Sequence, residues 1–204
     1  VTITGIGSYA GTKTVTFKIT GISLNKASVT GIENKIYSGT AHKQNLKVVS
    51  GNKTLAEGTD YEAFYTNNIN AGKATVTIKG INSYAGSIKK TFRIAPCDIG
   101  TDTENLLAGL DAAVTEKYVK GGSRPQPQLT YAGRKLTEGK DYTITYRNNR
   151  AVASAEARNA PSFTIRGKGN FKGTLTRKFS ITGKALDDSE SPVRLSVPDK
   201  GYSG

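Results

Sequence analysis

The segment Leu55-Ala-Glu-Gly-Thr-Asp-Tyr-Glu-Ala-Phe-Tyr-Thr-Asn-Asn68 returns 81 residues later as Leu136-Thr-Glu-Gly-Lys-Asp-Tyr-Thr-Ile-Thr-Tyr-Arg-Asn-Asn149. An internal repeat of this kind decides how the rest of the chain is parsed. In the second copy Tyr142, Ile144 and Tyr146 alternate with Thr143, Thr145 and Arg147. That two-residue period marks a strand with one buried face. The closing Asn-Asn pair supplies residues that tolerate the left-handed region a turn needs.

A second motif occurs three times, over residues 1–19, 76–94 and 163–181. Its middle copy reads Val76-Thr-Ile-Lys-Gly-Ile-Asn-Ser-Tyr-Ala-Gly-Ser-Ile-Lys-Lys-Thr-Phe-Arg-Ile94. Alternating strands flank a loop with Gly at both ends, the pattern of a β-hairpin. A shorter motif, Tyr37-Ser-Gly39, is matched by Tyr202-Ser-Gly204 and more loosely around Tyr118. The expected organisation follows. Residues 1–20 are the terminal hairpin of a preceding repeat, and 21–96 form one complete repeat. Residues 97–183 form a second, with an insert near 151–161, and 184–204 supply the first strand of a following one. Short strands in units of this size imply an all-β fold of two tandem immunoglobulin-like β-sandwiches, with partial repeats at both ends. Helical spacing is plausible only at Thr103–Val114, where Gly109 opposes it. A short helical turn or an irregular stretch leading to a strand near Tyr118 is expected there.

Composition agrees with a β-rich chain of 204 residues: Gly is abundant, Met and Trp are absent, and Tyr outnumbers Phe ten to six. No apolar run is long enough to span a membrane. A single cysteine, Cys97, excludes an internal disulfide and reads as an inert thiol. The net charge is +13, dispersed over strands and turns. It reads as a solvated face that favours acidic polymers. Nucleic acid is not the expected partner.

The motifs Gly-x-Asp-Tyr-x-x-x-Tyr-x-Asn-Asn (58–68 and 139–149), then Thr-Ile-x-Gly-x-x-x-Tyr/Phe-x-Gly and a Phe-x-Ile strand, resemble a family of bacterial immunoglobulin-like surface repeats. These occur in tandem in large secreted or wall-bound proteins of Gram-positive gut anaerobes. The resemblance covers nearly the whole chain. It implies an extracellular, cell-surface or cell-wall location and a role as a spacer or adhesion module. The insert at 151–161 and the degenerate segment 99–117 depart from the pattern, which puts the second repeat's edge strands in question.

No catalytic constellation emerges, and no enzyme activity or cofactor is expected. His42, the only histidine, sits in a polar loop, and no Cys/His metal spacing is present. Asp60 and Asp141 recur because the turn recurs, and a carboxylate there orders the turn through nearby backbone N–H groups. Calcium candidates are Asp98, Asp102 and Glu104 at one repeat boundary and Asp187, Asp188 and Glu190 at the next. Phe64 replaces the outward Thr145, so Phe64, with Tyr37 or Tyr84 beside it, is a candidate interface patch. The unpartnered hairpin 1–20 and the strand expected at 193–197 suit strand exchange with a neighbouring copy. Partners by this reading are host or cell-wall glycans or acidic polymers. The alternative function is a carbohydrate-binding accessory module of a secreted glycan-degrading enzyme.

Overall fold

The computed structural model describes residues 1–101, 107–108 and 114–185. The calcium candidates Asp102, Glu104, Asp187, Asp188 and Glu190, the strand expected at 193–197 and Tyr202-Ser-Gly204 lie outside them. The chain is all-β, with one turn of 3₁₀ helix at Leu24–Lys26 among the described residues. It divides into two compact units. The first comprises Val1–Ile36 and Thr40–Ala95, and the second comprises Tyr37–Gly39 and Pro96 onward.

In the first unit, β1 (Thr2–Thr4) and β2 (Thr12–Thr14) form a hairpin. The strands β3 (Ile22–Ser23), β4 (Ser28–Thr30), β5 (Lys35–Ile36), β6 (Lys47–Ser50) and β7 (Lys53–Leu55) follow. They lead into the long strands β8 (Tyr61–Thr66), β9 (Gly72–Gly80) and β11 (Ser87–Ala95), with β10 (Tyr84–Ala85) between the last two. One sheet has the order β4-β6-β7, the other β5-β11-β9-β8. Alternation sends Val48 and Leu55 from one sheet and Tyr61, Val76 and Ile78 from the other into a single buried cluster, closed by Leu24 and Tyr84. That is a two-layer arrangement in which each sheet buries one face. β5 runs parallel to β11, pairing Lys35 with Ile94, while the neighbouring long strands are antiparallel.

The second unit repeats this plan. Its strands are β12 (Cys97–Asp98), β13 (Leu107–Ala108), β14 (Thr115–Lys117), β15 (Thr130–Tyr131) and β16 (Arg134–Lys135), then β17 (Tyr142–Arg147), β18 (Ser162–Gly167), β19 (Phe171–Lys172), β20 (Thr174–Lys178) and β21 (Ser180–Thr182). The sheets are β13-β15-β16 and β17-β18-β20, and β14 lies parallel to β21 as β5 does to β11. Leu107 and Ala108 pair in antiparallel register with Tyr131 and Thr130, so the helical spacing at Thr103–Val114 is overridden at those two residues by sheet pairing. The insert is not a loose loop. Ala153 and Ile181 exchange backbone hydrogen bonds of 3.1 and 2.8 Å, and Phe179 N–H donates to the Pro161 carbonyl at 2.9 Å. Those bonds lie on the β18 side of the last strand, whose other side pairs with β14, and the strand is interrupted at Phe179 where β11 runs unbroken.

The hairpin β1–β2 keeps the register of β9–β11. Thr2 pairs with Thr14 as Thr77 pairs with Lys89. Its apolar side chains have a different fate. Ile3 and Phe17 are 63% and 70% exposed, whereas their equivalents Ile78 and Phe92 are 0% and 4% exposed. Among the described residues, β1 and β2 pair only with each other.

Candidate functional site

The recurring aspartates and asparagines are consumed by the fold, and in the same way in both units. Asp60 accepts the Ala56 N–H at 3.0 Å and the Lys53 ammonium at 3.0 Å. Asp141, 81 residues on, accepts the Thr137 N–H at 3.0 Å and a two-armed contact from Arg134 at 3.1 and 3.3 Å. Burial raises the Asp141 carboxyl pKa, but the Arg134 guanidinium and the Thr137 N–H outweigh it and hold the group below its ordinary value. Asn68 donates its side-chain amide to the His42 carbonyl at 2.8 Å, and Asn149 donates to the Ser123 carbonyl at 2.9 Å. Asn67 and Asn148 occupy the left-handed region at φ 56° and 53°.

His42 therefore holds a structural position that Ser123 fills in the second unit. Burial, with Lys35 nearby, lowers its pKa, so it is a poorer proton acceptor than an ordinary imidazole. Cys97 is buried. Asp98 accepts the Gly100 N–H at 3.0 Å and lies 3.8 Å from the Lys172 ammonium. Among the described residues no cluster of three or more His, Cys, Asp or Glu residues is placed to hold a metal.

The expected aromatic patch does not assemble. Phe64 points outward as expected and is 50% exposed, but Tyr84 is buried in the core of the first unit. Tyr37 is buried too, within the second unit. Its ring stacks on Tyr131 at 5.7 Å between centroids and meets Phe171 edge-on at 5.3 Å, and its carbonyl accepts the Tyr131 hydroxyl at 2.9 Å. Both tyrosines carry enough apolar surface to favour core positions when a partner accepts their polar end.

What the sequence reading missed lies on the second unit. β17 is the edge strand of its sheet, and beside it opens a concavity of about 440 Å³. Ile144 and Tyr146 contribute to its lining, with Asn149, and Arg124, Glu138, Thr145 and Arg150 surround it. The segment Arg124-Pro-Gln-Pro127 contributes Arg124 and Gln126 to it. In the first unit, Gln44 N–H donates to the Tyr65 hydroxyl at 3.0 Å. Pro125 takes that place and has no N–H to give. In both units the tyrosine hydroxyl donates to the carbonyl of this residue, Tyr65 to Gln44 at 3.4 Å and Tyr146 to Pro125 at 2.8 Å, and in the second unit the Gln126 amide, at 3.1 Å, takes over as donor to the hydroxyl. Burial pushes the Tyr146 phenol up, the Glu138 carboxylate adds to this, and the Arg124 guanidinium opposes it.

Three charges around the concavity have no internal use. Arg124, Glu138 and Arg150 enter no ion pair and no side-chain hydrogen bond among the described residues, unlike Arg134 and Asp141. The first unit carries different groups at the matching positions, with Phe64 for Thr145 and Ile69 for Arg150. A comparison of the two repeats at the offset of 81 residues is the signal that would have found the site. No protein-family model, curated protein or solved structure matches this chain.

Proposed function

We propose that the chain is a non-catalytic segment of a bacterial cell-surface or wall-bound protein, a spacer and adhesion module built from tandem immunoglobulin-like β-sandwiches. One observation carries the reading. The recurring pairs Asp60/Asp141 and Asn68/Asn149 are spent on turns and strand closure in the same way each time. A repeat selected for chemistry would present its recurring polar groups to a ligand. Among the described residues no helix is long and apolar enough to cross a membrane.

The test is functional replacement. The segment is placed between a wall anchor and a reporter domain displayed on a bacterial surface, and capture of the reporter by ligand-coated beads is measured. Capture should fall when one unit is deleted and recover with any equally long folded tandem. Equal performance by a flexible Gly/Ser linker of the same residue count would overturn the spacer role.

A second reading, a carbohydrate-binding accessory module, is favoured by the open concavity beside β17 and its uncommitted charges.

A further inference from the structure

We propose that the concavity beside β17 binds a saccharide unit bearing a carboxylate, such as a uronic acid residue within a glycan, with Arg124 and Arg150 as its anion partners. The inference deepens the carbohydrate-binding reading and is independent of the spacer role.

The volume of about 440 Å³ lies in the range of small-ligand sites. The chemistry of the rim selects among ligands. Two guanidinium groups stand there without an internal carboxylate, and their planar forks match a carboxylate. A neutral sugar would leave both unused. Glu138 is exposed on the same rim and accepts hydrogen bonds only. A ligand that is anionic throughout, such as a polyphosphate, sets like charge against it and offers it no donor. A carboxylated sugar supplies the anion for the arginines and hydroxyl donors for Glu138. Thr145 adds a hydroxyl that gives or accepts, and the Tyr146 ring contributes apolar surface for a sugar face.

Arg124 and Gln126 line the concavity from a segment in which they alternate with Pro125 and Pro127, which have no N–H groups. Recognition there falls to side chains rather than to main-chain pairing, which disfavours an added peptide strand. In the first unit the aliphatic Ile69 and aromatic Phe64 replace the polar groups at two of these positions. The proposed site therefore belongs to the second unit alone.

The experiment is titration calorimetry of the whole chain with trigalacturonate, maltotriose, tripolyphosphate and a tri-glutamate peptide. The variants are Arg124→Ala, Arg150→Ala and the double variant Thr145→Phe/Arg150→Ile. The double variant imports residues that the first unit accommodates, and its thermal unfolding is measured to verify that it folds. Trigalacturonate should bind about ten-fold or more tighter than the other three ligands. Each arginine variant should weaken it about ten-fold, the scale of one charge-assisted hydrogen bond, and the double variant should abolish it. Trigalacturonate binding that ignores all the variants overturns the site while leaving a glycan-binding role standing. Absence of binding to either saccharide overturns both. Tighter binding of tripolyphosphate or of the peptide overturns the ligand class.

Discussion

Replacing Asp141 by Ala should destabilise the second unit selectively. The carboxylate is 2% exposed. It accepts the Thr137 N–H at 3.0 Å, ordering the turn that delivers Tyr142 to the core, and it pairs with Arg134. A hydrogen bond to a charged group contributes about 1.5–3 kcal/mol net. The Arg134 side chain is 43% exposed, so the ion pair is screened by solvent and adds only about 0.2–1 kcal/mol. The expected loss is therefore about 2–4 kcal/mol. For a unit of this size each kcal/mol moves the melting temperature by about 4–8 °C. Scanning calorimetry of the full chain should show the second unit's transition falling by roughly 8–32 °C, with the first unit's unchanged. Hydrogen exchange over 136–147 assigns the transition.

The pH dependence gives an independent check. The Asp141 pKa lies below its ordinary value in the folded state, so its contribution is fully present above the unfolded carboxyl pKa of about 3.9. It is lost as pH falls through the lower folded value. Parent and Asp141→Ala should converge in stability under strong acid and diverge towards neutral pH. A loss under about 0.5 kcal/mol at pH 7, the range of an ordinary surface change, would refute the claim that the recurring aspartate holds the turn.

Other outcomes follow from paired positions in the repeats. Phe92→Ser should cost about 3–5 kcal/mol in the first unit, while its hairpin equivalent Phe17→Ser stays within about 0.5 kcal/mol, both read by urea denaturation. Self-association through the uncovered hairpin face should show in light scattering of the parent and fall in an Ile3→Asn/Phe17→Ser variant. Asn148→Gly should be tolerated, whereas Asn148→Val should lose about 1–2 kcal/mol because a β-branched residue is strained at φ 53°. Gly31→Ala should cost more than about 2 kcal/mol, since φ is 80° there and the new methyl would run into the Asn45 carbonyl oxygen. Cys97 should react with a thiol reagent only on unfolding.

The strands were legible because burial imposes a period. Tyr142/Ile144/Tyr146 against Thr143/Thr145/Arg147 predicts which side faces inward, and pairing of β17 with β18 keeps those sets on opposite faces. The outward placement of Phe64 was equally readable. The fates of Tyr37 and Tyr84 were not, because an isolated aromatic in a loop carries no period. Whether it is buried depends on rings brought to it by distant strands, as Tyr131 and Phe171 are brought to Tyr37. The concavity was illegible within one repeat for a similar reason. Its lining comes from residues far apart in the chain, Arg124 and Gln126 on one segment and Ile144, Tyr146 and Arg150 on another.

Setting the two repeats side by side separates what the fold requires from what it leaves free. Of the positions common to 55–68 and 136–149, Leu, Gly, Asp, both Tyr and both Asn recur and each has a structural task. The Leu residues and the first Tyr residues are buried, Gly58 and Gly139 take φ 81° and 82°, and the polar members clamp turns. Glu57 and Glu138 recur with exposed side chains, and nothing in the fold explains their identity. The remaining differences are Ala56/Thr137, Thr59/Lys140, Glu62/Thr143, Ala63/Ile144, Phe64/Thr145 and Thr66/Arg147, five of them at exposed positions in both units. Two of these differing pairs, with Ile69/Arg150 and Lys43/Arg124, meet around the concavity. Some of the residues free to vary thus lie where one unit presents two unpaired guanidinium groups and the other presents Phe64 and Ile69 at two of the matching positions. A spacer needs only the invariant set. The divergent set is what allows one repeat of a tandem to acquire a ligand while its neighbour does not.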